Sequence, residues 1–165
     1  MISQLKDSMT SVDRNGVSYY IYPAPEHPQS GVFLRPFIQE GEGTCVLKND
    51  VFYYSDVEDA SYGWIHADHL QINADGWEMQ MEFDPSARRD KLGNGAESVT
   101  EHFVTDAGPE ALEILKSVGD AENVSLYFYQ SGAGGVSHEM SREEIRHVHD
   151  MVMLYELMKQ EEKGE

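Results

Sequence analysis

The chain has 165 residues, 30 of them acidic and 12 basic, for a formal net charge of −18 at pH 7. That imbalance argues against sequence-specific contact with DNA or RNA, because nucleic-acid binding needs cations to displace phosphate counterions. It leaves two options: a surface charged for solubility, or a surface built to meet a basic partner.

The length fits a single α+β domain over residues 1–160, with a frayed tail over 161–165. Hydrophobic residues make up 40% of the chain, and nine Tyr, six Phe and two Trp supply a core that a disordered acidic chain would lack. The lone cysteine, Cys45, rules out an intrachain disulfide and suits a reducing cytoplasm, the location expected here. Residues 1–16 contain no apolar signal-peptide core. No apolar run approaches the roughly 20 residues that cross a bilayer, so no transmembrane segment is expected. A signal or lipid anchor upstream of Met1 would move the expected location to the cell envelope.

Ile2, Leu5, Met9 and Val12 recur at helical spacing and predict a helix over 2–12, which Asn15-Gly16 ends or turns. VSYYIYP (17–23) reads as a strand stopped by proline, and 23–31, with three prolines, as a loop. VFLRPFIQ (32–39) is a strand in which Pro36 signals an edge or a bulge. EGEG (40–43) is a hairpin turn, TCVLK (44–48) the return strand, VFYYS (51–55) a separate short strand, and 56–63 an acidic loop.

Asp75-Gly76 is a strong hairpin signal joining HLQIN (69–73) to WEMQMEF (77–83). In the second strand Trp77, Met79, Met81 and Phe83 alternate with Glu78, Gln80 and Glu82, a half-buried pattern with one wet face. Residues 84–97 read as a long polar loop and 98–105 as a strand. Asp106 is placed to cap a helix with Pro109 in its first turn and Ala111, Leu112, Leu115 and Val118 on its apolar side.

NVSLYFYQ (123–130) is a strong strand, SGAGG (131–135) a turn and VSHEM (136–140) the return. Ser141 and Glu144 form a capping box. Ile145, Val148, Met151, Val152, Tyr155 and Met158 then line a helix to about residue 160. The order predicts an α+β fold of two layers, with a mainly antiparallel sheet packed against two or three helices.

From Trp64 to Met158 the chain resembles a group of small bacterial α+β domains often found in envelope lipoproteins. The shared features are Trp64-Ile65, the hairpin, the helix over 109–118, the strand and glycine turn over 124–135, and a last helix through Tyr155-Glu156-Leu157. The resemblance implies a fold and a bacterial source. It carries over no functional residues.

Residues 90–101 place Asp90, Asn94, Gly95, Ser98 and Glu101 at positions of a calcium loop. Leu92 stands where an oxygen ligand belongs, and the preceding flank reads as strand rather than helix, so a polar hairpin loop is the better reading. His66, Asp68 and His69 start a zinc-like set that Glu101, His102 or His138 would have to complete; surface polarity beside a hairpin is the plainer account. His147 and His149 lie two apart on a helix and point to different sides. SGAGG lacks the lysine and Ser/Thr of a phosphate loop. Cys45 reads as a buried strand residue, and Ser137 and His138 turn to opposite faces. No cofactor or metal is expected.

Consecutive tyrosines such as Tyr19-Tyr20 and Tyr53-Tyr54 must point to opposite faces, and Tyr127 and Tyr129 sit in a strand, so some rings reach the surface. Exposed tyrosines among acids resemble a protein-binding surface. The expectation is therefore a non-enzymatic domain that binds a basic protein, inhibitor-like or immunity-like, through Asp56, Glu58, Asp59 and Tyr62. The alternatives are an envelope-associated accessory domain and a metal-dependent enzyme using His66 and Asp68. A homodimer through an open strand edge is compatible with each.

Overall fold

The computed structural model describes residues 1–22, 30–56, 64–92 and 98–164. A short helix, α1 (Ile2–Asp7), is followed by β1 (Thr10–Arg14), β2 (Val17–Ile21), β3 (Gly31–Gly41) and β4 (Thr44–Asp56). Next come β5 (His69–Ala74), β6 (Trp77–Glu82), β7 (Arg89–Leu92) and β8 (Ser98–Asp106). The chain closes with α2 (Pro109–Gly119), β9 (Val124–Gln130), β10 (Gly134–Glu139) and α3 (Arg142–Glu162). The strands form a six-stranded sheet in the order β1-β2-β3-β4-β8-β7 and a four-stranded sheet in the order β10-β9-β5-β6. Every registered pair is antiparallel. The fold is a sheet-dominated α+β arrangement, as the order of elements predicts.

Three two-residue hairpins share one backbone solution. Asn15-Gly16, Glu42-Gly43 and Asp75-Gly76 all have positive φ at both positions, the pairing whose twist matches the flanking strands. The first of these corrects the amino-terminal reading. The helix stops at Asp7 and Thr10–Arg14 turns back onto β2, leaving Val12 36% exposed. The helical spacing of Val12 was coincidental, because the Asn-Gly turn commits both flanks to a ladder.

Segments 44–48 and 51–55 form one 13-residue strand that pairs with β3 along its length. Pro36 sits inside the sheet order but is locally an edge residue. β2 registers only with Ile38, Gln39 and Glu40, so the missing N–H of Pro36 breaks no ladder there. In the polar segment after Phe83, Pro85–Ala87 is a 3-10 turn and Arg89–Leu92 is a strand on β8. Asp106 ends β8 instead of capping α2; Gly108 holds the N-cap position without a side-chain bond. The capping box of α3 is present, with Ser141 Oγ accepting from Glu144 N–H and Glu144 accepting from Ser141 N–H. The helix extends through Glu162, past the expected end near 160.

One cluster of buried apolar residues links both sheets and the helices. Val32, Leu34, Ile38, Leu47, Val51 and Tyr53 supply the inner face of the large sheet, and Leu70, Ile72, Leu126 and Phe128 that of the small one. Aromatic contacts join them: Tyr53 and Phe128 lie 5.8 Å apart, Phe103 and Phe128 6.4 Å, and Phe83 stacks on Phe103 at 4.4 Å. Each such pair adds about 0.5–1.5 kcal/mol beyond area burial. α3 contributes Ile145, Val148, Met151, Val152, Leu154 and Met158, all buried, while Tyr155 is half-buried. Trp77 departs from its predicted half-buried pattern: it lies at the hairpin end and is 77% exposed.

Candidate functional site

The outer face of the small sheet follows from period-two alternation and register. Along β9, Val124, Leu126 and Phe128 are buried, so Ser125, Tyr127 and Tyr129 point outward. Register then aligns three outward rows: Glu82, His69, Tyr129 and Gly135; Gln80, Gln71, Tyr127 and Ser137; Glu78, Asn73, Ser125 and Glu139. These positions hold three carboxylates and two tyrosines, with no Lys or Arg among them.

Their contacts hold the face in one arrangement. The Tyr127 and Tyr129 rings stack at 5.0 Å, and His69 stacks on Tyr129 at 5.0 Å. Gln80 Nε2 donates to Tyr129 Oη at 2.9 Å, and Gln71 donates to Glu78. Gly135 leaves room for this packing: a Cβ there would run into the backbone oxygen of Phe128 and lie 2.6 Å from Tyr129 Cα. His69 is flanked by two carboxylates, bonding Asp68 through Nδ1 and standing 3.8 Å from Glu82 through Nε2. Burial pushes the Asp68 carboxyl up, but the His69 hydrogen bond and the Ser131 N–H outweigh it and hold the group below its usual value.

Glu101 is the buried charge that anchors this end of the sheet. Its side chain is inaccessible, and it accepts N–H bonds from Ile65 (2.6 Å), His66 (3.0 Å) and Ala67 (3.0 Å). Arg88 Nε lies 3.8 Å away and also reaches Asp90 at 2.8 Å. The three amides converge because His66 has a φ of 53°, a left-handed turn that bends the chain around the carboxylate. From there Asp68 N–H bonds Tyr129 C=O and Phe83 N–H bonds Asp68 C=O, carrying the segment into the small sheet.

The sequence-derived site residues are dispersed. Asp56 ends β4 on the large sheet, where its N–H donates to Ser30 Oγ at 2.9 Å. Glu58, Asp59 and Tyr62 lie outside the described residues. The calcium-like spacing is not realised as a ligand set: Glu101 faces inward onto backbone amides and Asp90 pairs with Arg88, while Asn94 and Gly95 are outside the described residues. His66 is exposed and stacks on Trp64 at 5.8 Å, whereas Asp68 and His69 bond each other. Among the described residues, no three His, Cys, Asp or Glu side chains are grouped to hold a metal.

His147 stacks on Tyr22 at 3.7 Å, and burial there pulls its imidazole below the usual value. Burial, with Glu162 beside it, pushes the Cys45 thiol up to about 11, so it stays protonated at neutral pH. Among the described residues, no helix is long and apolar enough to cross a membrane.

Sequence reasoning missed Glu101 as an anchor, although Val99, Glu101 and Phe103 share one parity in β8 and all face inward. A carboxylate in register with two buried apolar neighbours was the available signal. No family model, curated protein or solved structure matches the chain.

Proposed function

We propose that this chain is a non-catalytic protein-binding domain that meets a basic partner through the outer face of its four-stranded sheet. The supporting observation is the composition of that face: Glu78, Glu82 and Glu139 around stacked Tyr127 and Tyr129, with no Lys or Arg in the aligned rows. Tyrosines give large contact area with few torsions to freeze, and carboxylates steer a cationic partner into register. An inhibitor-like or immunity-like role fits this chemistry. The two-layer packing expected from the sequence, sheet against helices, belongs to the same reading. It leaves the tyrosine face free for a partner. Asp56, Glu58, Asp59 and Tyr62 form a separate, sequence-derived candidate contact.

The test is capture of proteins from native-host lysate by immobilised chain, washed at low and then high salt. The expected result is one basic protein, released by salt and lost from the Glu78→Lys/Glu82→Lys/Glu139→Lys variant. Loss only from an Asp56→Lys/Glu58→Lys/Asp59→Lys variant moves the contact to the acidic segment. Capture that neither variant alters, or none by the native chain, sinks the reading.

A further inference from the structure

The geometry points to a binding site for a phosphate group in the hollow between the end of α2 and the first two turns of α3, held by Arg142, Arg146 and His149. These three residues are spaced i, i+4 and i+7 and so lie along one side of the helix. The hollow has a volume of about 240 Å³, with Ile145, Ala121 and Gly119 as its apolar lining. Gly119 makes this approach of the helices possible: a Cβ there would lie 2.9 Å from His149 Cα.

Among the described residues, unpaired cations occur elsewhere too, at Arg14, Arg89, Lys91 and Lys163; this hollow differs in bringing two of them together with a histidine. Acids outnumber bases 30 to 12, and Lys6, Lys48, Arg88, Lys116 and Lys159 each stand beside a carboxylate. Arg142 and Arg146 line one hollow and have no hydrogen bond or ion pair among the described residues. The neighbouring acids of α3 are directed elsewhere. Glu143 lies 3.8 Å from His147, Glu144 closes the capping box and bonds His138, and Asp150 bonds Tyr22 and His149. His149 makes that bond through Nδ1, so Nε2 of the neutral ring is an acceptor that takes a hydroxyl of the ligand while the two arginines hold its oxygens. Among the described residues, Glu122 is the one carboxylate lining the hollow, and it suits a hydroxyl donor on the ligand.

Two guanidiniums one helical turn apart present two planar forks of N–H donors. A planar carboxylate satisfies one fork, whereas a tetrahedral dianion has oxygens for both. Inorganic phosphate and a phosphomonoester share this chemistry.

The test is an NMR titration of ¹⁵N-labelled protein with inorganic phosphate and with glucose 6-phosphate, against acetate and chloride at matched ionic strength. Saturable shifts are expected at Gly119–Glu122 and Arg142–His149, with phosphate bound at least about tenfold more tightly than acetate. The Arg142→Gln/Arg146→Gln variant should fold normally and bind at least about tenfold more weakly. Tighter binding of the ester identifies an esterified ligand, and tighter binding of phosphate identifies the free ion; both support the site. Equal response to all anions, unchanged binding by the variant, or no saturable shift overturns it.

Discussion

The two sheets present outer faces of opposite chemistry. On the six-stranded sheet, register brings Phe37, Lys48 and Asp106 into one row, Arg35 and Asp50 into the next, and Phe52, His102 and Arg89 into a third. Its charges are largely satisfied within the face: Lys48 pairs with Asp106, His102 bonds Asp50 at 3.2 Å, and Arg35 lies 6.0 Å from the Phe52 ring. On the four-stranded sheet, the three carboxylates have no Lys or Arg partner among the described residues. A net charge of −18 is therefore not spread evenly. One face neutralises itself, and the carboxylates of the other have no Lys or Arg beside them among the described residues.

The comparison breaks most completely where the sheets are joined. Replacing Glu101 with Ala orphans three N–H groups and leaves Arg88 with Asp90 as its one carboxylate partner among the described residues, and should cost about 3–5 kcal/mol in urea unfolding. Gly135→Ala should cost more than about 2 kcal/mol by the same measurement, because the added Cβ meets backbone that cannot yield. It should also disturb the Tyr127 and Tyr129 rings, read from near-ultraviolet circular dichroism.

Removing the rings sharpens the comparison. Tyr127→Ala/Tyr129→Ala should weaken partner binding by about 2 kcal/mol or more in calorimetry. The same substitution of Tyr19 and Tyr54, on the large sheet, should leave binding unchanged. Breaking an ion pair of the self-neutralised face is expected to do least: Lys48→Met should change stability by no more than about 1 kcal/mol.

A pH series tests the site where β10 meets α3. Burial pushes the Glu144 carboxyl up, but the bonds from His138 and Ser141 hold it below its usual value. A depressed carboxylate stabilises the fold above its unfolded value and loses that contribution as pH falls through the folded value. Glu144→Gln should therefore flatten the acid limb of the stability profile below about pH 4.5, with little slope change near neutrality.

Much of this architecture was legible because local rules and tertiary contacts agreed. The Asp75-Gly76 turn, the alternation over 78–82 and the Ser141 capping box each act over a few residues, and each holds; the alternation fails at Trp77. Period-two alternation in 124–130 also put Tyr127 and Tyr129 on the face opposite Leu126 and Phe128. The amino-terminal helix overran into β1 because an apolar residue at helical spacing cannot be told from one in a short strand until its partner is known.

By itself the sequence determined the acid excess, the hairpin turns, the Ser141 cap and the alternating sides of 78–82 and 124–130, because these depend on composition and on neighbours a few positions apart. Tertiary structure alone decided that there are two sheets, that rows from four strands assemble an acidic tyrosine face, and that Arg142 and Arg146 share a hollow with Gly119. It also turned Glu101 from an apparent ligand into the anchor of residues 65–67. These outcomes join segments dozens of residues apart. Strand order and register set them, and both follow from burying one shared core, a condition the whole chain must satisfy at once.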